Sequence, residues 1–129
     1  MHKTQVRVRY EETDQMGVVY HANYLRYFEI GRTEALRDRG MTYAEMERGG
    51  LLLAVVEAAC TFHSAAYYDN LLTIHTTLTE VRKVRLRFDY EILAEGGGPP
   101  LVTGHTTLAC LDTDRKPAKL PPAVLAAIQ

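Results

Sequence analysis

The segment Thr13–Tyr24, TDQMGVVYHANY, joins the end of a predicted strand to the start of a predicted helix. Before it, residues 5–10 alternate in polarity as a β-strand does. After it, apolar side chains recur every three or four positions from about residue 22 to residue 39, which predicts one long helix. The only carboxylate of the segment, Asp14, is therefore held beside a helix N-terminus. The free N–H groups and positive dipole end there suit an oxygen that gains negative charge, so Asp14 is a candidate catalytic group. The alternative is a turn aspartate that only bonds nearby backbone.

The predicted helix carries two small residues, Gly31 and Ala35, on one face. Glycine is unfavourable in an exposed helix, so this face is expected to lie very close to another surface, such as a sheet that curls around it. Gly40 occupies the position of a left-handed C-terminal cap. Thr42 and Glu45 then form a capping box that predicts a short second helix.

Beyond Gly49-Gly50 the chain alternates as β-structure. A GGGPP turn at residues 96–100 separates the last two predicted strands, and a short terminal helix is expected after Pro121. One long helix cannot cover five strands unless the sheet wraps around it or pairs with a second chain. The pattern therefore predicts an antiparallel sheet around a central helix, and a homodimer. The four later strands are predicted at residues 51–63, 71–81, 84–93 and 101–111.

Composition indicates one ordinary globular domain over residues 1–129, with 47% hydrophobic and 24% charged residues. The formal net charge of −1 provides no basic field for nucleic acid or an anionic membrane. No apolar run approaches the roughly 20 residues of a membrane span, and the N-terminus lacks the apolar core of a signal peptide. Cys60 and Cys110 lack metal-ligand spacing, so we expect reduced buried thiols, no metal site and a cytoplasmic protein.

Two stretches of the chain resemble the signature of hotdog-fold acyl-CoA thioesterases, in particular the 4-hydroxybenzoyl-CoA thioesterase/YbgC-like group. They are YEETDQMGVVYHANY at residues 10–24 and YFEIGRTE at residues 27–34. The resemblance implies an α+β hotdog fold, in which a five-stranded antiparallel sheet wraps around one long central helix. It also implies homodimers, which pair into tetramers in many relatives. The implied reaction is hydrolysis of acyl-CoA to free acid and CoA without a cofactor, since coenzyme A is part of the substrate.

By position in this signature, Asp14 matches the family's catalytic carboxylate. It would either attack the thioester or deprotonate a water, and the sequence leaves both routes open. The backbone N–H of His21 matches the donor that polarises the carbonyl, whereas its side chain either packs, caps the helix or contacts substrate. Gly17 and Tyr20 are expected beside the substrate, and so is Asn23, which also has a helix-start role.

Arg82, Lys83 and Arg85 form the one basic cluster of the sequence. They either line a solvated strand edge or, as the resemblance implies, bind the phosphates of coenzyme A. His63 and Ala65 depart from the family pattern, which leaves the acyl group open.

Several alternatives remain open at this stage. Glu29 on the helix is a second candidate base, although an ion pair with Arg32 is favoured. Ser64 is the only serine and lacks the glycines of a nucleophile elbow. A hydratase or dehydratase on acyl thioesters would require a histidine opposite an acid, for which His63 with Glu57, or His21 with Asp14, are candidates. A non-catalytic acyl-CoA-binding module is the third possibility.

Overall fold

Five antiparallel strands form one sheet in the computed structural model, which describes residues 1–128. The strand order is β1-β3-β4-β5-β2, so β1 and β2 are the edges. The strands are β1 His2–Arg7, β2 Leu52–Phe62, β3 Leu71–Val81, β4 Arg85–Leu93 and β5 Val102–Leu111. The helices are α1 Asn23–Asp38, α2 Tyr43–Arg48 and α3 Pro122–Ile128. The single-domain prediction includes Gln129, which lies outside the described residues.

Helix α1 packs on one face of the sheet through its aromatic and small residues. The ring of Phe28 stacks on Tyr90 with centroids 4.2 Å apart. At Gly31, an added Cβ would meet Thr76 and would lie 2.8 Å from Cγ2 of Ile74. The close approach inferred from the small residues is thus confirmed.

The two faces of the sheet differ as the alternation predicts. Along β4 the side chains of Leu86, Phe88, Tyr90 and Ile92 are buried beneath α1. On the opposite face, Arg87 donates to Asp89 at 3.0 Å. Apolar burial on the inner face therefore holds the sheet against the helix, while the outer face carries polar side chains.

The first strand ends earlier than predicted, at Arg7 rather than at residue 10. Arg7 pairs with Leu71, the first residue of β3, so the chain beyond it has no strand to pair with. Residues Tyr10–Glu12 instead form a single 3₁₀ turn, which Glu12 closes by accepting the N–H of Arg9 at 2.8 Å.

The predicted helix ends are confirmed. Gly40 follows α1 with a φ of +81°, and the Thr42 hydroxyl accepts the N–H of Glu45 at 3.1 Å. Both cysteines are free thiols, and burial raises the pKa of Cys110 to about 11. In residues 1–128 no helix is long and apolar enough to cross a membrane, and no cluster of His, Cys, Asp and Glu is arranged to hold a metal ion.

Candidate active site

A tight loop between the 3₁₀ turn and α1 carries Asp14. Thr13 bridges to Val19 across the loop, and the Asp14 N–H donates to the Val18 carbonyl at 2.9 Å. Gly17 turns the chain with a φ of +81°, a conformation that favours glycine. The loop is anchored to the rest of the molecule where the Val19 N–H donates to the carbonyl of Ala66 at 2.8 Å. Asp14 therefore lies on a short, well-bonded segment.

The Asp14 carboxylate is partly committed to its own turn. Its Oδ1 accepts the N–H of Met16 at 2.9 Å. Within the described residues Oδ2 has no hydrogen-bond donor, so this oxygen is available to a substrate or a water. The local turn expected of an isolated aspartate is thus present, and it orients the carboxylate without using both oxygens.

The start of α1 supplies unpaired backbone donors close to this loop. The N–H of Asn23 donates to the Tyr20 carbonyl at 2.9 Å. Across residues 1–128 the N–H groups of His21 and Ala22 have no acceptor, as expected at a helix N-terminus. Two unsatisfied donors at the positive end of a 16-residue helix favour a negatively charged oxygen.

Asp14 and His21 line one cavity of about 250 Å³. One wall is apolar and aromatic, with Tyr24 and Phe62 at 5.6 Å between ring centroids. Burial raises the pKa of Tyr24, which keeps its phenol neutral. The remaining polar side chains of the lining are His63 and Ser64.

Two other residues predicted near the substrate, Tyr20 and Asn23, differ in how exposed they are. Tyr20 is exposed and its ring lies 4.5 Å from that of His21. Asn23 is only 8% exposed, and its amide donates to the Glu12 carbonyl at 2.8 Å. The Asn23 side chain is therefore used for structure, in agreement with its helix-start role.

The basic cluster lies far from Asp14 in the same chain. Arg82, Lys83 and Arg85 follow β3, whereas the Asp14 loop bridges to Tyr67, before β3 begins. Along the 11 residues of β3, at ~3.3 Å per residue, the two ends are separated by about 30 Å. Arg82 and Arg85 line a separate cavity of about 300 Å³ on the sheet.

Of the two acid–histidine pairs considered for a hydratase, His21 and Asp14 line the same cavity, whereas Glu57 and His63 each bond another residue. A hydrogen bond of 2.7 Å joins Glu57 to His105, and one of 3.0 Å joins His63 to Thr103. The expected pairing of Arg32 with Glu29 is also replaced, since the Arg32 Nε donates to the hydroxyl of Tyr43 at 2.9 Å.

Sequence reasoning missed Glu12 and Tyr27. The Tyr27 hydroxyl donates to Glu12 Oε1 at 3.0 Å, beneath the Asp14 loop. The spacing of three from Arg9 to Glu12 is a weak signal for a closed turn, and no local pattern indicates the bond to Tyr27.

Nearly the whole chain matches one known family. The family model described as the thioesterase-like superfamily matches residues 8–128. The chain belongs to the thioesterase-like superfamily.

Individual relatives agree with this assignment. The chain is 37% identical over 126 residues to the acyl-CoA thioesterase YbgC of Haemophilus influenzae, covering 95% of this chain and 90% of the relative. It is 38% identical over 95 residues to the putative acyl-CoA thioesterase YneP of Bacillus subtilis, covering 74% and 69%.

A solved structure has the same fold. The DHNA-CoA thioesterase from Staphylococcus aureus superimposes with a TM-score of 0.92 at 32% identity, over 97% of this chain and 86% of that one. The expected hotdog fold and the expected thioester hydrolase are thereby confirmed.

Proposed function

We propose that this thioesterase hydrolyses acyl-CoA with Asp14 as the reacting carboxylate and the His21 N–H as the donor to the thioester oxygen. The observation that carries the proposal is their common cavity, which Asp14 and His21 line together at the start of α1. The acyl-CoA thioesterases among the relatives support the substrate class.

Two routes use this geometry. In the first, the free oxygen of Asp14 attacks the thioester carbon, the C–S bond breaks, and CoA leaves as thiolate; water then hydrolyses the mixed anhydride. In the second, Asp14 takes a proton from a water that attacks the same carbon. Both routes place negative charge on the thioester oxygen, which the N–H of His21 stabilises. One such donor typically contributes about 3 kcal/mol to the transition state.

The same proposal accounts for the acyl end of the substrate. The aromatic wall formed by Tyr24 and Phe62 suits an apolar acyl group, and His63 adds one polar position. Water and the chain's own residues suffice for the reaction, so no cofactor belongs to the proposal.

A second copy of the chain is part of the proposed enzyme. The edge strand β2 leaves Val55, Val56 and Phe62 exposed along an unpaired side. An exposed apolar edge of 11 residues is the expected template for pairing with another strand. We therefore propose that two copies of the chain form a homodimer through β2. The assembly of such dimers into tetramers stays a prediction from the family resemblance.

The dimer also gives the basic cluster a role. β2 begins beside the end of β5, where Ala109 pairs with Arg85, and it ends at Phe62 beside the Asp14 cavity. Antiparallel pairing of two β2 strands would therefore bring the basic end of one copy towards the Asp14 cavity of the other. In this arrangement Arg82, Lys83 and Arg85 hold the phosphates of a CoA bound by the neighbouring copy.

The two free cysteines fit the cytoplasm, which we propose as the compartment.

The test is thiol release by the wild-type chain and by Asp14→Asn from a panel of aliphatic and aromatic acyl-CoAs. Asn keeps the shape and removes the charge and basicity, so we expect kcat to fall by roughly 100-fold or more. Asp112→Asn is the matched control, because Asp112 also bonds its own turn, accepting the N–H of Asp114 at 2.9 Å. Equal rates for wild type and Asp14→Asn would reject Asp14, and no thiol release from any acyl-CoA would reject the substrate class.

A further inference from the structure

Glu12 is bonded at both its carboxylate and its carbonyl. Its Oε1 accepts the N–H of Arg9 at 2.8 Å and the hydroxyl of Tyr27 at 3.0 Å. Its carbonyl oxygen accepts the N–H of Tyr20 at 2.9 Å and the side-chain amide of Asn23 at 2.8 Å. Four hydrogen bonds thus converge on one half-buried residue.

These bonds join the two arms of the loop that carries the candidate site. Glu12 lies two residues before Asp14, and Tyr20 lies one residue before His21. Asn23 is the first residue of α1. Fixing the Glu12 carbonyl to Tyr20 and Asn23 therefore fixes the position of the Asp14 arm relative to the helix start.

The bond to Tyr27 ties this loop to the core. Tyr27 is fully buried on α1 and lies 5.8 Å from Tyr24, whose ring lines the Asp14 cavity. A hydroxyl bonded to a carboxylate forms a charge-assisted hydrogen bond, which is shorter and stronger than a neutral one. Burial and the nearby Glu12 charge raise the pKa of Tyr27, so the hydroxyl remains a donor across the ordinary pH range.

We propose that Glu12 is a positioning residue for thioester hydrolysis: held by Tyr27 and Arg9, it sets the distance between the Asp14 carboxylate and the His21 N–H. The inference rests on the proposed roles of those two groups. The Glu12 carboxylate accepts both of its hydrogen bonds from within the protein, from Arg9 and Tyr27, and takes no part in bond making. A nucleophile and an oxyanion donor must meet the same carbonyl at once, so a displacement of about 1 Å costs up to roughly 100-fold in rate.

The experiment compares kcat and KM for thiol release by wild type, Glu12→Ala, Glu12→Gln and Glu11→Ala. Glu12→Ala is expected to lower kcat by about 10- to 100-fold with KM within about threefold of wild type, because the reacting groups separate while the binding walls remain. Glu12→Gln restores most of kcat, since an amide oxygen still accepts both bonds. Glu11→Ala, on the exposed side of the same 3₁₀ turn, leaves both parameters unchanged.

Tyr27→Phe provides an independent arm that does not touch Glu12. It removes one of the two bonds to the carboxylate, so we expect a smaller fall in kcat than for Glu12→Ala. The double variant should be no slower than Glu12→Ala, because the two residues act through the same bond. If Glu12→Ala fails to fold in circular dichroism, the fall in kcat of Tyr27→Phe and the recovery in Glu12→Gln still decide the proposal.

Three results would overturn it: wild-type kcat in Glu12→Ala or, where that variant does not fold, in Tyr27→Phe; a Glu12→Gln variant as slow as Glu12→Ala; or a loss that appears in KM alone. Failure of the proposed function looks different, because Asp14→Asn run in parallel would then keep its rate, or wild type would release no thiol. An active wild type with an inactive Asp14→Asn and a normal Glu12→Ala rejects the positioning role alone.

Discussion

Two cavities along α1 each contain a carboxylate, and they differ in what surrounds it. In the Asp14 cavity the acid has a free oxygen, backbone N–H groups without acceptors nearby and an aromatic wall. In the smaller cavity, of about 130 Å³, Glu29 is accompanied by the buried guanidinium of Arg32 and the phenol of Tyr43. Under the proposed assignment, an acid on a helix is not enough for hydrolysis, and donors for the developing oxyanion are what the Asp14 cavity has in addition.

The proposed difference between the two cavities would be wrong if Glu29 were the catalytic base. Glu29→Gln should keep kcat within about threefold of wild type, whereas Asp14→Asn loses roughly 100- to 10,000-fold, the usual contribution of a catalytic base or nucleophile. Both substitutions replace a carboxylate by its amide, so each controls for the other. Thiol-release kinetics on the preferred acyl-CoA measures them, and a large loss in Glu29→Gln beside an active Asp14→Asn would transfer catalysis to the second cavity.

The structural character of the second cavity can be measured as stability. Tyr43→Phe removes the hydroxyl that accepts from the buried Arg32, so the free energy of unfolding should fall by about 2 kcal/mol, as for other bonds to charged groups. The value of kcat should not change. Urea denaturation followed by circular dichroism gives the first quantity and thiol release the second. Undiminished stability together with a reduced kcat would reverse the assignment.

A smaller effect is expected in the stability of the protein at alkaline pH, where a tyrosine from each cavity contributes. Burial raises the pKa of Tyr24 in one cavity and of Tyr43 in the other. Above pH ~10 the unfolded chain loses these protons while the folded chain keeps them, so stability is fully present below that pH and falls as the pH rises further.

Each such tyrosine contributes a slope of at most about 1.4 kcal/mol per pH unit. Each variant, Tyr24→Phe or Tyr43→Phe, is expected to have a lower free energy of unfolding than wild type. Urea titrations should therefore show this difference shrinking between pH 10 and pH 11. A deficit that stays constant for one variant would show that the buried phenol at that position titrates normally.

The elements of the fold could be predicted because their signals are local. The alternation of β4 and the caps around α1, with Gly40 and Thr42, are read within a few residues. The proximity of Asp14 to His21 in one cavity could also be predicted, since both lie in the segment that leads into α1, while their catalytic roles stay a prediction. The remaining features depend on contacts between residues that are distant in the sequence. The end of β1 at Arg7 follows from where β3 begins, and the bond from Tyr27 to Glu12 spans 15 residues.

The basic cluster shows the same limit. The sequence alone associated Arg82, Lys83 and Arg85 with the substrate through a family resemblance. Their separation from Asp14 follows because the Asp14 loop bridges to Tyr67, at the opposite end of β3, and this tertiary contact is not encoded in the periodicity of the strand. Likewise, the spacing of Arg32 from Glu29 suggests an ion pair, but the tertiary position of Tyr43 provides a different acceptor.

The strand order has a consequence for how the chain is made. β2 is complete at residue 62, yet its neighbour within the chain, β5, ends only at residue 111. During synthesis β2 therefore leaves the ribosome well before the strand that pairs with it. Such distant pairing slows folding and leaves an apolar strand open to aggregation in the meantime. The sheet is therefore completed only when β5, the last strand to be synthesised, has emerged.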